Sequence, residues 1–266
     1  PEGLLDRVNV LSAGIGTGPF KLVEYNQDDS IVYEAFTDFW EPGVPKIQKL
    51  TLKMAPDQQQ RVAALRAGEI DGAPFSADVA STLASGDVTV QSGISPAARV
   101  ISRCMVKDVP WRDKRVRQAV SLAINRQDII DKVYGGQAQM TGAIPPGFGP
   151  WPLAEDKIQS AYTVDIEKAK ALMAEAGYAD GFDVNLMAIA QPQDYVQLSE
   201  IIQQNVKEIG INCSVEPLEI GTFVERANKS DFEWASTGRG IRGDPSGHVI
   251  DFRPGSASFV SRFGDG

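Results

Sequence analysis

Strand-like and helix-like segments alternate across residues 96–238, and this alternation limits the possible folds more than any other feature of the sequence. Apolar runs typical of strands occur at 96–106, 182–190, 211–219 and 232–238. Strands separated by helices favour βαβ units, so we predict an α/β fold with a partly parallel sheet flanked by helices. The predicted helices are two within 110–136, and one each at 165–178, 194–210 and 221–230.

Strand patterns dominate the first third of the chain. Residues 20–25 and 30–36 flank a polar turn and predict a β-hairpin. Residues 49–54 alternate strictly, so Leu50, Leu52 and Met54 are predicted to face inward. A helix at 57–68, a short strand at 69–75 and a short helix at 76–86 are predicted to follow.

The stretch GIGTGPF at 14–20 looks like a glycine-rich phosphate loop. A dinucleotide loop must open a helix, because the helix N-terminus holds the pyrophosphate. Here Pro19 and Phe20 lead into strand-forming residues, and the Gly-Lys-Ser/Thr ending of a P-loop is missing. The stretch therefore predicts a turn into a strand and no nucleotide site.

Composition excludes several classes of function. The 266 residues carry a formal net charge of −9 and no Lys/Arg cluster, so nucleic acid is not an expected partner. His248 is the single histidine, which argues against most zinc sites and histidine-dependent triads, and we expect no metal or cofactor. For Cys104 and Cys213, a disulfide and two separate half-buried thiols both remain open. His248 lies in a polar tail and is expected to be inert.

Seven segments of the chain follow one another in a characteristic order. They are GTGPFKLVEY at 16–25, RVAALRAGEID at 61–71, PWRDKRVRQAVSLAINRQDII at 110–130, GAIPPG at 142–147, DIEKAKALMAEAGY at 165–178, FDVNL at 182–186 and EIGINCSVEPLEIGTFVERANKSDFE at 208–233. Each alone is a weak signal. Together they resemble the extracytoplasmic solute-binding proteins of ABC importers, family 5, which includes dipeptide-, oligopeptide- and nickel-binding members.

The resemblance implies a periplasmic-binding-protein-like fold of type II, with two lobes built from mixed β-sheets flanked by helices. It assigns residues 1–95 to the later part of lobe I, 96–235 to lobe II, and 236–266 to a segment that returns toward lobe I. Lobe I is discontinuous in this family and is expected to be incomplete here. The chain is accordingly expected to be a segment of a longer protein.

The same resemblance implies a substrate-binding component rather than an enzyme. It would capture a peptide or another small polar solute outside the cytoplasmic membrane, in the periplasm or another extracytoplasmic space. It would act as a monomer and deliver the solute to the ABC permease. Two other functions remain open: a glycosidase built on paired carboxylates, and a scaffold- or chaperone-like interaction domain. Most acids lie at helical spacing beside Lys or Arg, which favours solvated surfaces.

Three candidate ligand-binding residues lie in the segment 238–245. Peptide-binding relatives carry here a pattern like GW-x-x-D-Y-x-D-P, whose aspartate pairs with the amino terminus of the ligand. The segment of this chain is one residue shorter, with Arg239 at the tryptophan position and Arg242 at or near the aspartate. Guanidinium forks suit a carboxylate or phosphate, so Arg239, Arg242 and Asp244 are expected to bind an acidic or polyhydroxyl ligand, or a peptide held differently. A hinge salt bridge of Asp244 with one arginine is the alternative.

Three further candidates lie on predicted strands. Arg99 and Arg103 share one face of their strand, and the resemblance places that strand beside the ligand cleft. We expect them to contact ligand, with a solvated sheet edge as the alternative. Trp234 is expected either to wall a pocket or to pack in the core. Arg115 and Arg117 are expected to be structural surface charges.

Overall fold

The chain divides into two compact units, Pro1–Phe75 and Ser76–Gly266. The computed structural model describes residues 16–84, 88–93, 97–106, 108–240 and 244–249. None of the helices in these ranges is long and apolar enough to cross a membrane. The boundaries predicted for the two lobes, after residues 95 and 235, remain predictions.

The described part of the first unit contains a three-stranded antiparallel sheet and one helix. Its elements are β1 (Phe20–Asn26), β2 (Ser30–Ala35), β3 (Lys49–Lys53) and α1 (Gln58–Arg66). The sheet order is β1-β2-β3, which confirms the predicted hairpin and the turn into a strand at Phe20. Asp57 caps α1 by accepting a hydrogen bond from the backbone N–H of Gln60 at 2.9 Å.

Two predictions for the first unit were wrong. Leu52 and Met54 are exposed, at 46% and 55%, because no described element covers that face of β3. Lys49, Thr51 and Lys53 on the other face are exposed too, and Leu50 is the one half-buried residue of β3, so alternation did not show how little of this strand is buried. Residues 69–75 form no strand, since Gly72 and Pro74 interrupt the short apolar pattern.

The second unit is built around a four-stranded mixed sheet in the order β4-β7-β5-β6. The strand β5 lies parallel to both β6 and β7, whereas β4 pairs antiparallel with β7. The predicted partly parallel sheet is thus confirmed. The elements are α2 (Ala77–Leu83), β4 (Ala98–Arg103), α3 (Lys114–Ala123), α4 (Arg126–Tyr134), α5 (Glu155–Ala161), α6 (Ile166–Glu175), β5 (Phe182–Ile189), α7 (Asp194–Lys207), β6 (Ile211–Leu218), α8 (Ile220–Asn228), β7 (Trp234–Arg239) and α9 (Ser246–Val249).

Two hydrophobic clusters hold the second unit together. The larger one joins the sheet to α3, α6 and α7 and includes Val120, Met173, Leu186 and Trp234, each at most 1% exposed. The smaller one includes Phe223 of α8 together with residues of β5 and β7. Helices therefore flank the sheet, as βαβ connections require.

The predicted helix boundaries in this unit are largely correct. Asn125 accepts a hydrogen bond from the backbone N–H of Asp128 at 3.2 Å and so begins α4, which ends at Gly135. Asp113 caps α3 by the same means, with the N–H of Arg115 as donor at 2.7 Å. The helix α5 was not predicted, since its seven residues offer too few apolar positions to show a period.

The close approach of two backbone turns makes a testable prediction about stability. Gly181 has a φ of +75°, and a Cβ there would lie 1.7 Å from the carbonyl oxygen of Gly210. Gly177 has a similar φ of +87° but no atom within 4 Å of such a Cβ. Gly177→Ala should lower the free energy of unfolding by about 1 kcal/mol, from backbone strain alone. Gly181→Ala should cost about 3 kcal/mol or more, because backbone atoms must move.

Urea-induced unfolding of both variants measures this difference. Equal losses of stability in the two variants would show that the Gly181–Gly210 approach carries no constraint.

Candidate functional site

One edge of the mixed sheet gathers the ends of several elements. The carboxyl ends of β5, β6 and β7 lie there, together with the start of β4, because β4 runs antiparallel to β7. The helix α7 begins at Asp194, shortly after β5 ends at Ile189. In open α/β sheets, ligands bind outside the carboxyl ends of the strands, so functional side chains are expected at this edge.

Arg99, near the start of β4, is held at this edge by two contacts. Its Nε donates a hydrogen bond to Oδ2 of Asp194 at 2.7 Å, and its guanidinium lies 4.3 Å from the ring centre of Tyr195. Burial alone would lower the pKa of Arg99, but the hydrogen bond and charge of Asp194 outweigh it and raise that pKa. The side chain is 33% exposed, so a fixed guanidinium still meets solvent.

Asp194 connects Arg99 to the end of helix α4. The hydroxyl of Tyr134 donates to the same Oδ2 atom at 2.9 Å. Burial raises the pKa of Tyr134 well above its usual value, and the neighbouring negative charge of Asp194 adds to the shift. The other oxygen of Asp194, Oδ1, is buried and has no hydrogen-bond partner among the described residues. Within the described residues, Asp194 therefore fixes Arg99 and Tyr134 through Oδ2 alone.

Gly238 provides the space for this arrangement. It lies opposite Arg99 in the β4–β7 pair. A Cβ at this position would lie 2.5 Å from the hydroxyl oxygen of Tyr195 and 3.6 Å from Nη1 of Arg99. A side chain at 238 would therefore displace the tyrosine on which Arg99 stacks.

The predicted residues at the end of β7 have different surroundings. Arg239 follows Gly238 and so faces the opposite side of the sheet, where it is 6% exposed and donates from Nη1 to the carbonyl oxygen of Ala143 at 3.3 Å. Asp244 accepts a hydrogen bond from the backbone N–H of Ser246 at 2.8 Å. Hydrogen bonding to the side chain of Ser246, and then to its backbone, lowers the pKa of the Asp244 carboxyl group. Arg242 lies outside the described residues, so the predicted hinge salt bridge stays a prediction.

Arg103 and Trp234 lie at the opposite end of β4 from Arg99. The two residues pair across β4 and β7. Four residues separate Arg103 from Arg99, or ~13 Å along a strand. Trp234 is fully buried and packs edge-on against Trp111 at 5.9 Å, so it is a core residue that presents no surface to a ligand.

The two cysteines are separate thiols. Cys104 and Cys213 are both free and buried, which answers the question that the sequence left open. Burial raises the pKa of Cys213 to about 11, with a further contribution from Glu233, so this thiol is unreactive at neutral pH. Within the described ranges, no group of three or more His, Cys, Asp or Glu residues could hold a metal ion. The side chain of His248 is not among those that the structure describes.

Sequence reasoning missed Asp194, Tyr134, Tyr195 and Gly238. The sequence QPQDY at 191–195 follows a buried strand and begins a helix, which is the position where polar residues reach the carboxyl edge of a sheet. The polar sequence at 191–195 therefore indicates that Asp194 lies at the carboxyl edge of the sheet. The partner of Asp194 could not be read from it, because Arg99 is 95 residues away in the chain.

Comparison with known proteins identifies the family. The family described as "Bacterial extracellular solute-binding proteins, family 5 Middle" matches this chain over residues 9–256. The chain belongs to this family. The resemblance that the sequence motifs indicated is thereby confirmed.

Individual relatives agree with this assignment. The dipeptide-binding protein of Escherichia coli (strain K12) is 33% identical over 239 residues, which cover 87% of this chain and 44% of the relative. The structure of the PBP AgaA from A. tumefaciens R10, in complex with agropinic acid, superposes with a TM-score of 0.79 at 25% identity, covering 93% of this chain and 51% of that one.

A second solved structure is the periplasmic binding protein DppA from Helicobacter pylori in complex with the peptide STSA. It superposes with a TM-score of 0.75 at 28% identity, covering 88% of this chain and 45% of that one. The mixed α/β fold is therefore that of periplasmic binding proteins, as predicted. The chain spans about half the length of the relatives it matches.

The raised pKa of Tyr134 predicts how stability responds to alkaline pH. Above the usual pKa of 10.0 the unfolded tyrosine ionises, while the folded one, beside Asp194, stays neutral. Tyr134 therefore contributes stability that is fully present below pH 10.0 and is lost as pH rises. The wild-type free energy of unfolding should fall faster than that of Tyr134→Phe, by about 1.4 kcal/mol per pH unit.

Urea unfolding of both proteins near neutral pH and above pH 10.0 measures the effect. The other tyrosines titrate in both proteins and cancel in the comparison. A difference between wild type and variant that does not change with pH would contradict the assigned environment.

Proposed function

We propose that this chain belongs to the substrate-binding component of an ABC importer. The component captures a small polar solute outside the cytoplasmic membrane and delivers it to the permease. Membership of the solute-binding family and the fold shared with two ligand-bound binding proteins support this proposal. Binding needs no chemical step, because the solute acts by favouring one of two conformations of the protein. The component works as a monomer in the periplasm or an equivalent extracytoplasmic space.

The solute carries a carboxylate or a similar acidic group, and Arg99 is its receptor. The guanidinium is already oriented by Asp194 and Tyr195 before ligand arrives, so little side-chain entropy is lost on binding. A planar fork with several N–H donors matches the two oxygens of a carboxylate. This oriented, part-exposed guanidinium at the edge with the carboxyl ends of β5, β6 and β7 is the observation that carries the proposal.

The ligands named for the relatives are compatible with this chemistry. Agropinic acid is an acid by name, and a peptide such as STSA ends in a carboxylate. Arg239 is a weaker candidate for direct contact, because it is buried and donates to the Ala143 carbonyl oxygen. Its role is to fix the loop that contains Ala143 beside the end of β7. Direct contacts from Arg242 and Asp244 remain part of the proposal.

Mass spectrometry of the solute that co-purifies with the protein supplies the ligand for the test. Isothermal titration calorimetry should then show roughly 10- to 100-fold weaker binding for Arg99→Gln. A loss of this size corresponds to the free energy that hydrogen bonds to a charged group contribute. Arg99→Lys keeps the charge but not the fork and should weaken binding almost as much. Arg112→Gln, which alters an exposed arginine in the turn before α3, is the matched control.

Thermal unfolding without ligand shows whether each variant is folded. Ligand should raise the midpoint of wild type and of Arg112→Gln, with no change in the solute itself. Unaltered affinity in both Arg99 variants would remove Arg99 from the site. Conversion of the solute into a product would replace binding with an enzymatic function.

A further inference from the structure

A cavity of about 450 Å³ opens on the second unit, between helices α4 and α5 and the loop that joins them. Its volume lies within the range of small-molecule pockets, roughly 300–1,000 Å³. Neither Arg99 nor any of the residues that hold Arg99 in place lines this cavity. The cavity is therefore a second candidate site, which the solute site at Arg99 does not explain.

The deepest part of the cavity lining is apolar. Ile130 of α4 and Ile158 of α5 both line it, and they are only 8% and 7% exposed. Met140 and Pro146 of the connecting loop are half-buried in the same lining, and Leu153 adds a more exposed side chain. An aliphatic group that enters the cavity leaves water and packs against these side chains, which is favourable.

The loop that forms one wall of the cavity is held at several points. The hydroxyl of Tyr162 donates to the carbonyl oxygen of Thr141 at 3.3 Å. Gly142 packs so closely on Leu153 that a Cβ at this position would lie 3.3 Å from Cδ1 of Leu153. The two arms of the loop thus contact each other, and one arm is bound to the end of α5. The wall is formed before a ligand arrives, so little loop entropy is lost on binding.

The charge of the cavity lining is negative. The described residues that line it include Asp131 and Glu155 but no lysine, arginine or histidine. Nε2 of Gln127, which also lines the cavity, donates to Oδ1 of Asp131 at 2.9 Å and so orients that carboxylate. Lys132 follows Asp131 on α4 but pairs with Asp128 at 2.7 Å. A concave surface with one sign of charge favours a ligand of the opposite sign.

We propose that this cavity binds a small amphipathic amine. The ammonium group donates charge-assisted hydrogen bonds to Asp131 and Glu155, and the aliphatic chain packs on Ile130 and Ile158. Charge selects the class of ligand, and the buried apolar lining selects an amine that carries a hydrocarbon chain. The proposal does not depend on the function of the Arg99 site, which is expected to take an acidic group.

The probe for the test is hexylammonium chloride, with sodium hexanoate as a ligand of similar length and opposite charge. Isothermal titration calorimetry at low ionic strength should show that wild type binds hexylammonium and not hexanoate. Methylammonium carries the charge without the chain and should bind at least about tenfold more weakly. Added sodium chloride should weaken hexylammonium binding, because the carboxylates are exposed and are screened by salt.

Variants of the two carboxylates test the assignment of residues. Asp131→Asn should weaken hexylammonium binding about two- to fivefold, the usual size of one exposed charge contact. Asp131→Asn combined with Glu155→Gln should weaken it about tenfold. The matched control is Asp156→Asn, because Asp156 follows Glu155 in the first turn of α5 but does not line the cavity. This control should bind like wild type.

Thermal unfolding without amine shows that each variant is folded, which is expected because the substituted side chains are exposed. Arg99→Gln should also bind hexylammonium like wild type, which distinguishes this cavity from the solute site. The proposal is overturned if wild type does not bind hexylammonium, or if hexanoate or methylammonium binds equally well. Wild-type affinity in the double variant would overturn it too.

Discussion

The ion pair between Arg99 and Asp194 is the interaction on which the candidate site depends. It joins the edge strand β4 to the beginning of α7, and Tyr134 extends it to the end of α4. Three elements that are distant in the sequence thereby meet at one carboxylate. Because the pair is partly shielded from water, it is screened less than a surface pair and can hold the guanidinium in one orientation. A receptor for an acidic solute needs this kind of prior orientation.

The sheet topology explains why this pair lies where a ligand could meet it. The strands β5, β6 and β7 run parallel and end at the same edge, while the antiparallel β4 begins there. Gly238 leaves room for the Tyr195 ring beneath Arg99. At the other end of the same strand, Arg103 is half-buried and lies opposite Trp234 of β7.

Much of the fold could be predicted from periodicity and capping residues. Asp57, Asp113 and Asn125 act through neighbours two or three residues away, so the local sequence contains all the information needed to place them. The exposure of Leu52 and Met54 depends on what covers the sheet, which alternation cannot reveal.

The candidate site was harder to predict, because it depends on strand order. Arg99 and Arg103 lie on the same face of β4. Their neighbours on β7 nevertheless differ, because Arg99 lies opposite Gly238 and Arg103 opposite Trp234. Asp194 looks like an ordinary acid at a helix start until β4 brings Arg99 within 2.7 Å of it. The shared carboxyl ends of β5, β6 and β7 then indicate the edge of the sheet where a ligand is expected.

A crystal structure of the protein with its co-purifying solute tests the central claim most directly. The account predicts an acidic group of the solute within about 3 Å of the terminal nitrogens of Arg99, with Nε still bound to Asp194. A solute whose acidic group contacts other residues, or an Arg99 turned away from Asp194, would contradict it.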